Sequence, residues 1–228
     1  MTYHLTAAPR PFSYNPPKEP YISILYEDED MLVLDKPAGL LTVAGKLKEH
    51  SDCLESRALE HRPDARVVHR LDMDTSGVII LALNKPALAR LSMQFEKRQT
   101  TKLYIAEIFG FPEKNKGTVD LPLICDWPNR PKQMVDHERG KKAVTDWEVL
   151  DRNKNKNCTR VKLMPITGRS HQLRLHMVTL GHPVLGDNIY AHDEAFMASP
   201  RLMLHAQYLA IRHPVSNKKL EFESLAPF

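Results

Sequence analysis

His69-Arg70-Leu71-Asp72-Met73-Asp74-Thr75-Ser76-Gly77 stands between two apolar stretches, Val67-Val68 and Val78-Ile79-Ile80-Leu81-Ala82-Leu83. Apolar runs on either side of a polar segment closed by Thr-Ser-Gly predict strand, loop, strand. In extended chain, residues two apart project to the same side. Arg70 and Asp72 are therefore expected to bring a cation and a carboxylate together at the mouth of the turn.

Upstream of this stretch, Ile22, Ile24 and Leu25 lead into the acidic turn Glu27-Asp28-Glu29-Asp30, and Met31-Leu32-Val33-Leu34 follows it, the pattern of a strand pair. Residues 51–59 predict a short helix capped by Ser51. Downstream, Asn84 is a suitable N-cap with Pro86 tolerated in the first turn. Leu88, Leu91 and Phe95 follow at helical spacing, and the helix is expected to end near Arg98. Residues 101–109 predict a strand. Residues 110–142, rich in proline and charge, are expected to be mostly irregular and to form a functional loop. Two strands, 144–150 and 159–164, are expected on either side of a polar tip. Residues 170–180 predict a helix closed by Gly181 and stopped before Pro183, and 201–212 and 219–222 predict the last strands.

Strands outnumber helices and are often joined by short turns, which points to the α+β class: a mixed, mainly antiparallel sheet with helices packed on it. The first twenty residues hold five prolines and no glycine and predict an extended arm without a core of its own. Residues 21–228 are expected to form one domain. No repeat of fixed period is present.

Composition narrows the function classes. The 228 residues carry 32 Lys and Arg against 28 Asp and Glu, a net charge of +4 with a sequence pI of about 8.9, which suits a polyanionic partner without demonstrating one. Cys53, Cys125 and Cys158 are odd in number and widely spaced, which argues against a disulfide framework or a zinc ribbon. No apolar run approaches membrane-spanning length and residues 1–20 lack a signal-peptide core. A reduced, soluble, cytoplasmic protein with no membrane partner is expected.

The central stretch resembles the HRLDxxTSG signature of the RluA family of RNA pseudouridine synthases. Two further elements agree with that family and stand in its order: Lys36-Pro37-Ala38-Gly39-Leu40 resembles its upstream KPxGL element, and Gly168-Arg169-Ser170-His171-Gln172-Leu173-Arg174-Leu175-His176 its downstream GRxHQLRxH element. Residues 121–133, with Asp126-Trp127-Pro128-Asn129-Arg130-Pro131-Lys132, are similar to the short family member that acts on both 23S rRNA and tRNA. The resemblance implies the pseudouridine synthase fold, a bent mixed sheet with a central RNA-binding cleft.

It also implies a chemistry. Making pseudouridine breaks the bond from uracil N1 to ribose C1′, turns the base and joins C5 to C1′. No redox equivalent is needed, so no cofactor and no metal are expected, and His69, His171 and His176 have no accompanying metal-ligand pattern. Asp72 falls on the catalytic aspartate of the family. Whether it attacks C1′, adds to C6 or takes the 2′ proton stays open at this point. Asp74 makes a second carboxylate, as in glycoside hydrolysis, but falls on a variable position and is assigned to the surface.

Arg174 falls where the family places the basic partner of the aspartate, a partner that would keep a buried carboxylate ionised. Tyr104 falls where the family sets a tyrosine against the uracil face, and Arg70 is expected to fill the space left by the flipped nucleotide. The remaining substrate contacts are assigned to His69, Lys36, Trp127, Arg130, Arg169 and Leu204. Partners are expected to be 23S rRNA and tRNA stem-loops, bound by a monomer without an obligate protein partner. A non-catalytic RNA assembly factor using the same cleft is the alternative of a different class.

Overall fold

All seven residues of Ser76–Ala82, the strand that follows the polar loop, are buried. A strand covered on both faces reads as a continuous apolar run rather than an alternating one. It is the fourth of twelve strands in the computed structural model, which describes Arg10 and residues 13–228. In chain order the strands are β1 (Ile24–Glu27), β2 (Met31–Lys36), β3 (Arg66–Val67), β4 (Ser76–Ala82), β5 (Thr101–Phe109), β6 (Lys116–Asp120), β7 (Leu123–Cys125), β8 (Gln133–Val135), β9 (Val144–Asn153), β10 (Cys158–Pro165), β11 (Leu204–Arg212) and β12 (Lys219–Glu223). The helices are α1 (Leu54–His61), α2 (Lys85–Glu96), α3 (Gln172–Thr179) and α4 (Asp193–Met197).

The chain forms two compact units, one of Ser13–Leu103 with His205–Phe228 and the other of Tyr104–Leu204 with Arg10. In the first unit β4 pairs antiparallel with β2 and parallel with β11, while β1, β3 and β12 extend the ladders. The parallel pairing brings β4 and β11 very close. A Cβ on Gly77, whose φ is +111°, would lie 2.3 Å from the carbonyl oxygen of Ala206, so only glycine fits. Beside it the Ser76 hydroxyl lies 2.8 Å from Nδ1 of His205, whose Nε2 donates to the Ser224 carbonyl at 2.8 Å. The Ser-Gly end of the polar stretch thus anchors it to the sheet. Met31, Val33, Ile80, Leu91, Ile211 and Phe222 form the centre of this unit's core.

In the second unit β5, β10, β9 and β6 follow one another in antiparallel pairing, and β7 and β8 form a separate two-stranded hairpin. Ala106, Trp147, Val161, Leu163, Leu173 and Met177 belong to its core, so α3 packs on the inner face of β5 and β10.

Asn84 caps α2 by accepting from the Ala87 N–H at 2.8 Å, and Gly181, with φ +84°, closes the end of α3, both as the sequence predicts. One expectation fails. The first helix starts at Leu54 and is capped by Cys53, whose sulfur accepts from the Ser56 N–H while the Ser56 hydroxyl accepts from the Cys53 N–H. A reciprocal box forms there, and Ser51 sits in the preceding turn. Residues 110–142 are mostly irregular, as expected, but three short strands, β6, β7 and β8, lie within them. β6 is a strand because β9, distant in sequence, supplies its hydrogen bonds, a partner that local propensity cannot report.

Of the expected N-terminal arm, residues 1–9, 11 and 12 lie outside the described residues. Arg10 donates to the Ala191 carbonyl at 3.1 Å. The Tyr14 hydroxyl donates to the Asp52 carbonyl at 2.6 Å and accepts from the Leu41 N–H at 3.1 Å.

Candidate active site

Asp72 lies in the loop between β3 and β4 and is half-buried. Its carbonyl accepts from the Thr75 N–H at 3.1 Å, closing a turn. The peptide groups on both sides of it are held from outside the loop. The hydroxyl of Thr42 donates to the Leu71 carbonyl at 2.7 Å and accepts from the Leu71 N–H at 3.2 Å. On the other side, the Met73 carbonyl accepts from the Gly39 N–H at 3.0 Å and from Nζ of Lys36 at 2.8 Å. Fixing the backbone before and after a carboxylate sets where its oxygens point without help from a substrate, the pre-organisation that catalysis rewards.

Lys36 does this in an unexpected way. Its side chain is completely buried, and besides Met73 its ammonium donates to the carbonyls of Pro37 at 2.9 Å and Leu40 at 2.7 Å. Three donors meet three main-chain oxygens. The sequence reading made Lys36 a substrate contact; in the structure its ammonium fastens the KPAGL turn to the Asp72 loop and is withdrawn from solvent. His69 likewise faces inward. Its ring stacks on Phe95 at 4.3 Å and Nε2 accepts from the Ile80 N–H at 3.2 Å. Burial, with a smaller contribution from the Lys102 charge, pushes its pKa down to about 3, so at neutral pH it is an acceptor and not a cation. Arg70, by contrast, is exposed.

In the other unit, α3 carries the GRSHQLRLH element. Seven of its eight residues are buried, so it is an interior helix rather than an amphipathic surface one. Gln172 fixes its start. Its amide oxygen accepts from the Thr167 hydroxyl and the Arg169 N–H, and its amide nitrogen donates to the Val144 carbonyl and the Thr145 hydroxyl. Every hydrogen-bonding site of this buried amide is used. Arg174 follows with 2% of its surface exposed. Its guanidinium grips Asp187 in a fork, Nε to Oδ2 at 2.8 Å and Nη2 to Oδ1 at 2.6 Å, and lies 5.3 Å above the ring of Tyr190. Asp187 also accepts the backbone N–H groups of Ile189 and Tyr190 through Oδ1. Burial raises its pKa, but the Arg174 charge and these hydrogen bonds outweigh burial and hold the carboxyl below the usual aspartate range.

The sequence reading missed Asp187, Tyr190 and Thr42. A signal existed for the first only in its position, since Gly186-Asp187 follows α3 closely and a buried arginine requires a carboxylate nearby. Nothing local marks Thr42.

His176 on α3 is completely buried, with Nδ1 2.9 Å from the Thr145 hydroxyl, and burial pushes its pKa down to about 4. The folded protein keeps it neutral where the unfolded chain, with an ordinary histidine near 6.5, takes up a proton. Stability from this residue is complete above about pH 6.5 and is lost as pH falls toward 4. Lowering pH from 7 to 5 is expected to cost about 2 kcal/mol through His176. Urea unfolding at the two pH values checks this; an equal loss in His176→Leu would assign the effect elsewhere.

Tyr104 lies on β5 opposite Leu163 of β10 and packs against the core of its unit. Leu204 is buried in the same core, 2% exposed. Arg169 is exposed, with Nε donating to the Lys142 carbonyl at 3.2 Å. Trp127 and Arg130 sit at the tip of the β7–β8 hairpin, where the guanidinium lies 4.4 Å over the indole and Trp127 keeps 65% of its surface exposed. A bare indole with a cation over one face is a stacking platform for a nucleobase.

Residues 30–179, which span the KPAGL turn, the Asp72 loop and α3, match the family described as RNA pseudouridylate synthase. The chain belongs to that family. Proteins named dual-specificity RNA pseudouridine synthase RluA are 52% identical to it in Escherichia coli K12, over 95% of this chain and 98% of theirs, and 50% identical in Haemophilus influenzae, over 94% and 98%. The match to these relatives makes the synthase RluA-type. Among solved structures, human RNA pseudouridylate synthase domain containing 1 is similar with a TM-score of 0.76 at 30% identity, over 96% of this chain and 87% of that one. Human RNA pseudouridylate synthase domain containing 4 gives 0.71 at 26% identity, over 90% and 88%. The mixed, mainly antiparallel α+β architecture is thus that of the pseudouridine synthases. The synthase is an isomerase that converts uridine to pseudouridine in RNA. Among its described residues no helix is long and apolar enough to cross a membrane.

Proposed function

We propose that this synthase modifies a loop uridine in 23S rRNA and one in the tRNA anticodon stem-loop, with Asp72 as its catalytic carboxylate. The observation that carries the residue assignment is the two-sided anchoring of the Asp72 loop by Thr42 and Lys36. The choice of targets rests on relatives, 52% identical along nearly the whole chain, whose name carries dual specificity.

In this reading the uridine leaves its stack and reaches Asp72 by base flipping. The carboxylate opens the N1–C1′ bond, the uracil turns, C5 bonds to C1′, and the C5 proton passes to solvent while N1 gains one. Tyr104 stacks on the base, a contact worth about 1–3 kcal/mol, and keeps the detached uracil in place. Arg174, oriented by Asp187, takes the part that the family gives this residue, the cationic partner of the catalytic aspartate. Arg70 fills the gap in the RNA, and Arg169, Trp127 and Arg130 contact the loop. The basic stretches 97–98, 139–142 and 152–156 follow the phosphate backbone. His69, Lys36 and Leu204 support the site from within rather than touching RNA. Residues 21–228 act as one catalytic domain, as a cytoplasmic monomer without cofactor.

Tritium release from 5-tritiated uridine in unmodified tRNA and 23S rRNA transcripts tests the target assignment. Release from both is expected. Release from one RNA would leave a single-target synthase, and tight binding of both without release would favour an RNA assembly factor.

A further inference from the structure

The hairpin that presents Trp127 and Arg130 is fastened, at the tip end of its ladder, to the turn that holds Arg174. Gln133 opens β8, opposite Cys125, and its N–H donates to the hydroxyl of Tyr190 at 2.8 Å. The same hydroxyl lies 2.8 Å from Nδ1 of His171, the residue that precedes α3. One phenolic proton and two lone pairs suffice for both bonds. Tyr190 is 5% exposed, so neither bond competes freely with water.

A second link runs alongside. Lys132, next to Gln133, is 2% exposed. Burial pulls its pKa below the usual lysine range, while the charges of Asp126 and Asp187 act in its favour. The tip end of the hairpin and the Arg174 clamp therefore share Asp187 electrostatically as well as Tyr190 by hydrogen bond.

Main-chain hydrogen bonds close the tip directly onto that ladder end. Asp126 accepts from the Asn129 N–H at 3.0 Å and donates its own N–H to the Lys132 carbonyl at 3.0 Å, and Lys132 donates to the Asn129 carbonyl at 3.0 Å. A tip closed in this way, on a two-stranded hairpin marginal by itself, takes its orientation from whatever fastens the ladder end beside it.

We propose that Tyr190 is a positioning residue for RNA recognition: its hydroxyl locks the hairpin bearing Trp127 and Arg130 to the first turn of α3, and so sets the affinity for the folded RNA target. The proposal rests on the reading of the hairpin tip as an RNA contact. It assigns to Tyr190 an effect on binding rather than on the chemical step, because the ring against Arg174 survives removal of the hydroxyl.

Tyr190→Phe tests it, with binding of an unmodified tRNA anticodon stem-loop transcript measured at equilibrium. Loss of two buried hydrogen bonds is expected to raise Kd about tenfold, with the single-turnover rate at saturating RNA within about threefold of wild type. In a Trp127→Ala background the same change is expected to raise Kd less than about twofold, since the tip it orients is gone. An unchanged Kd with a lowered melting temperature would reduce Tyr190 to a structural residue and overturn the proposal. So would a tenfold effect that persists in Trp127→Ala, or a loss confined to the single-turnover rate. Product formation by the wild type, read in the same samples, reports separately on the target assignment, because Kd is obtained without turnover.

Discussion

Asp72→Asn is expected to lower the single-turnover rate of pseudouridine formation by about a thousandfold or more while leaving RNA affinity and unfolding free energy close to wild type. The amide has the shape of the carboxylate but neither its charge nor its nucleophilic oxygen. The loop's shape is set through its main chain. The turn is closed through the Asp72 carbonyl, and the neighbouring peptides are held by Thr42, Gly39 and Lys36. The measurement is tritium release with enzyme in excess, beside a binding curve on the same transcript. A variant that kept about a tenth of the wild-type rate would remove Asp72 from the chemistry and shift attention to Asp74.

The second large effect concerns the clamp on Arg174. Asp187→Asn replaces a completely buried carboxylate with a neutral group that cannot accept the guanidinium fork. Breaking a buried ion pair from one side costs about 3–5 kcal/mol, because the remaining charge loses its compensation in a poorly polarisable interior. Urea unfolding is expected to show a loss at the lower end of that range, about 3 kcal/mol, since the amide oxygen can still accept the N–H groups of Ile189 and Tyr190. Arg174→Met combined with Asp187→Asn is expected to recover at least half of the loss, because no unpaired charge is then buried. If Asp187→Asn alone unfolds within about 0.5 kcal/mol of wild type, the pair is not a structural clamp. Catalysis gives a second reading: the single-turnover rate should fall with KM nearly unchanged, as expected for a residue that orients a group of the reaction and does not touch RNA.

Features legible in the sequence are those whose cause lies within a few residues. Asn84 caps α2 because its side chain reaches the Ala87 N–H three positions on, and Gly181 ends α3 because it alone adopts a left-handed conformation there without strain. The run Val78 to Leu83 reads as buried strand from its composition. The motif stretches Lys36 to Leu40, His69 to Gly77 and Gly168 to His176 identify the family, and with it the chemistry, without any coordinates.

The roles inside those motifs are a different matter. Lys36 looks like a cation for RNA until its ammonium is found on the Met73 carbonyl, 37 residues away. Arg174 is expected from the family to partner the catalytic aspartate, and its fork with Asp187 emerges only from the structure. β6 is called irregular until β9 pairs with it, and Gln133 meets Tyr190 across 57 residues. In each case the partner is chosen by how the whole chain packs, and a buried charge or peptide group must find one because leaving it unsatisfied is costly. Family, reaction and local elements can be read from the chain alone, since short-range sterics and hydrogen bonding act between near neighbours. Which charged motif residues are withdrawn from solvent, and which remain exposed, depends on contacts between segments far apart in sequence and is visible only once the chain is folded.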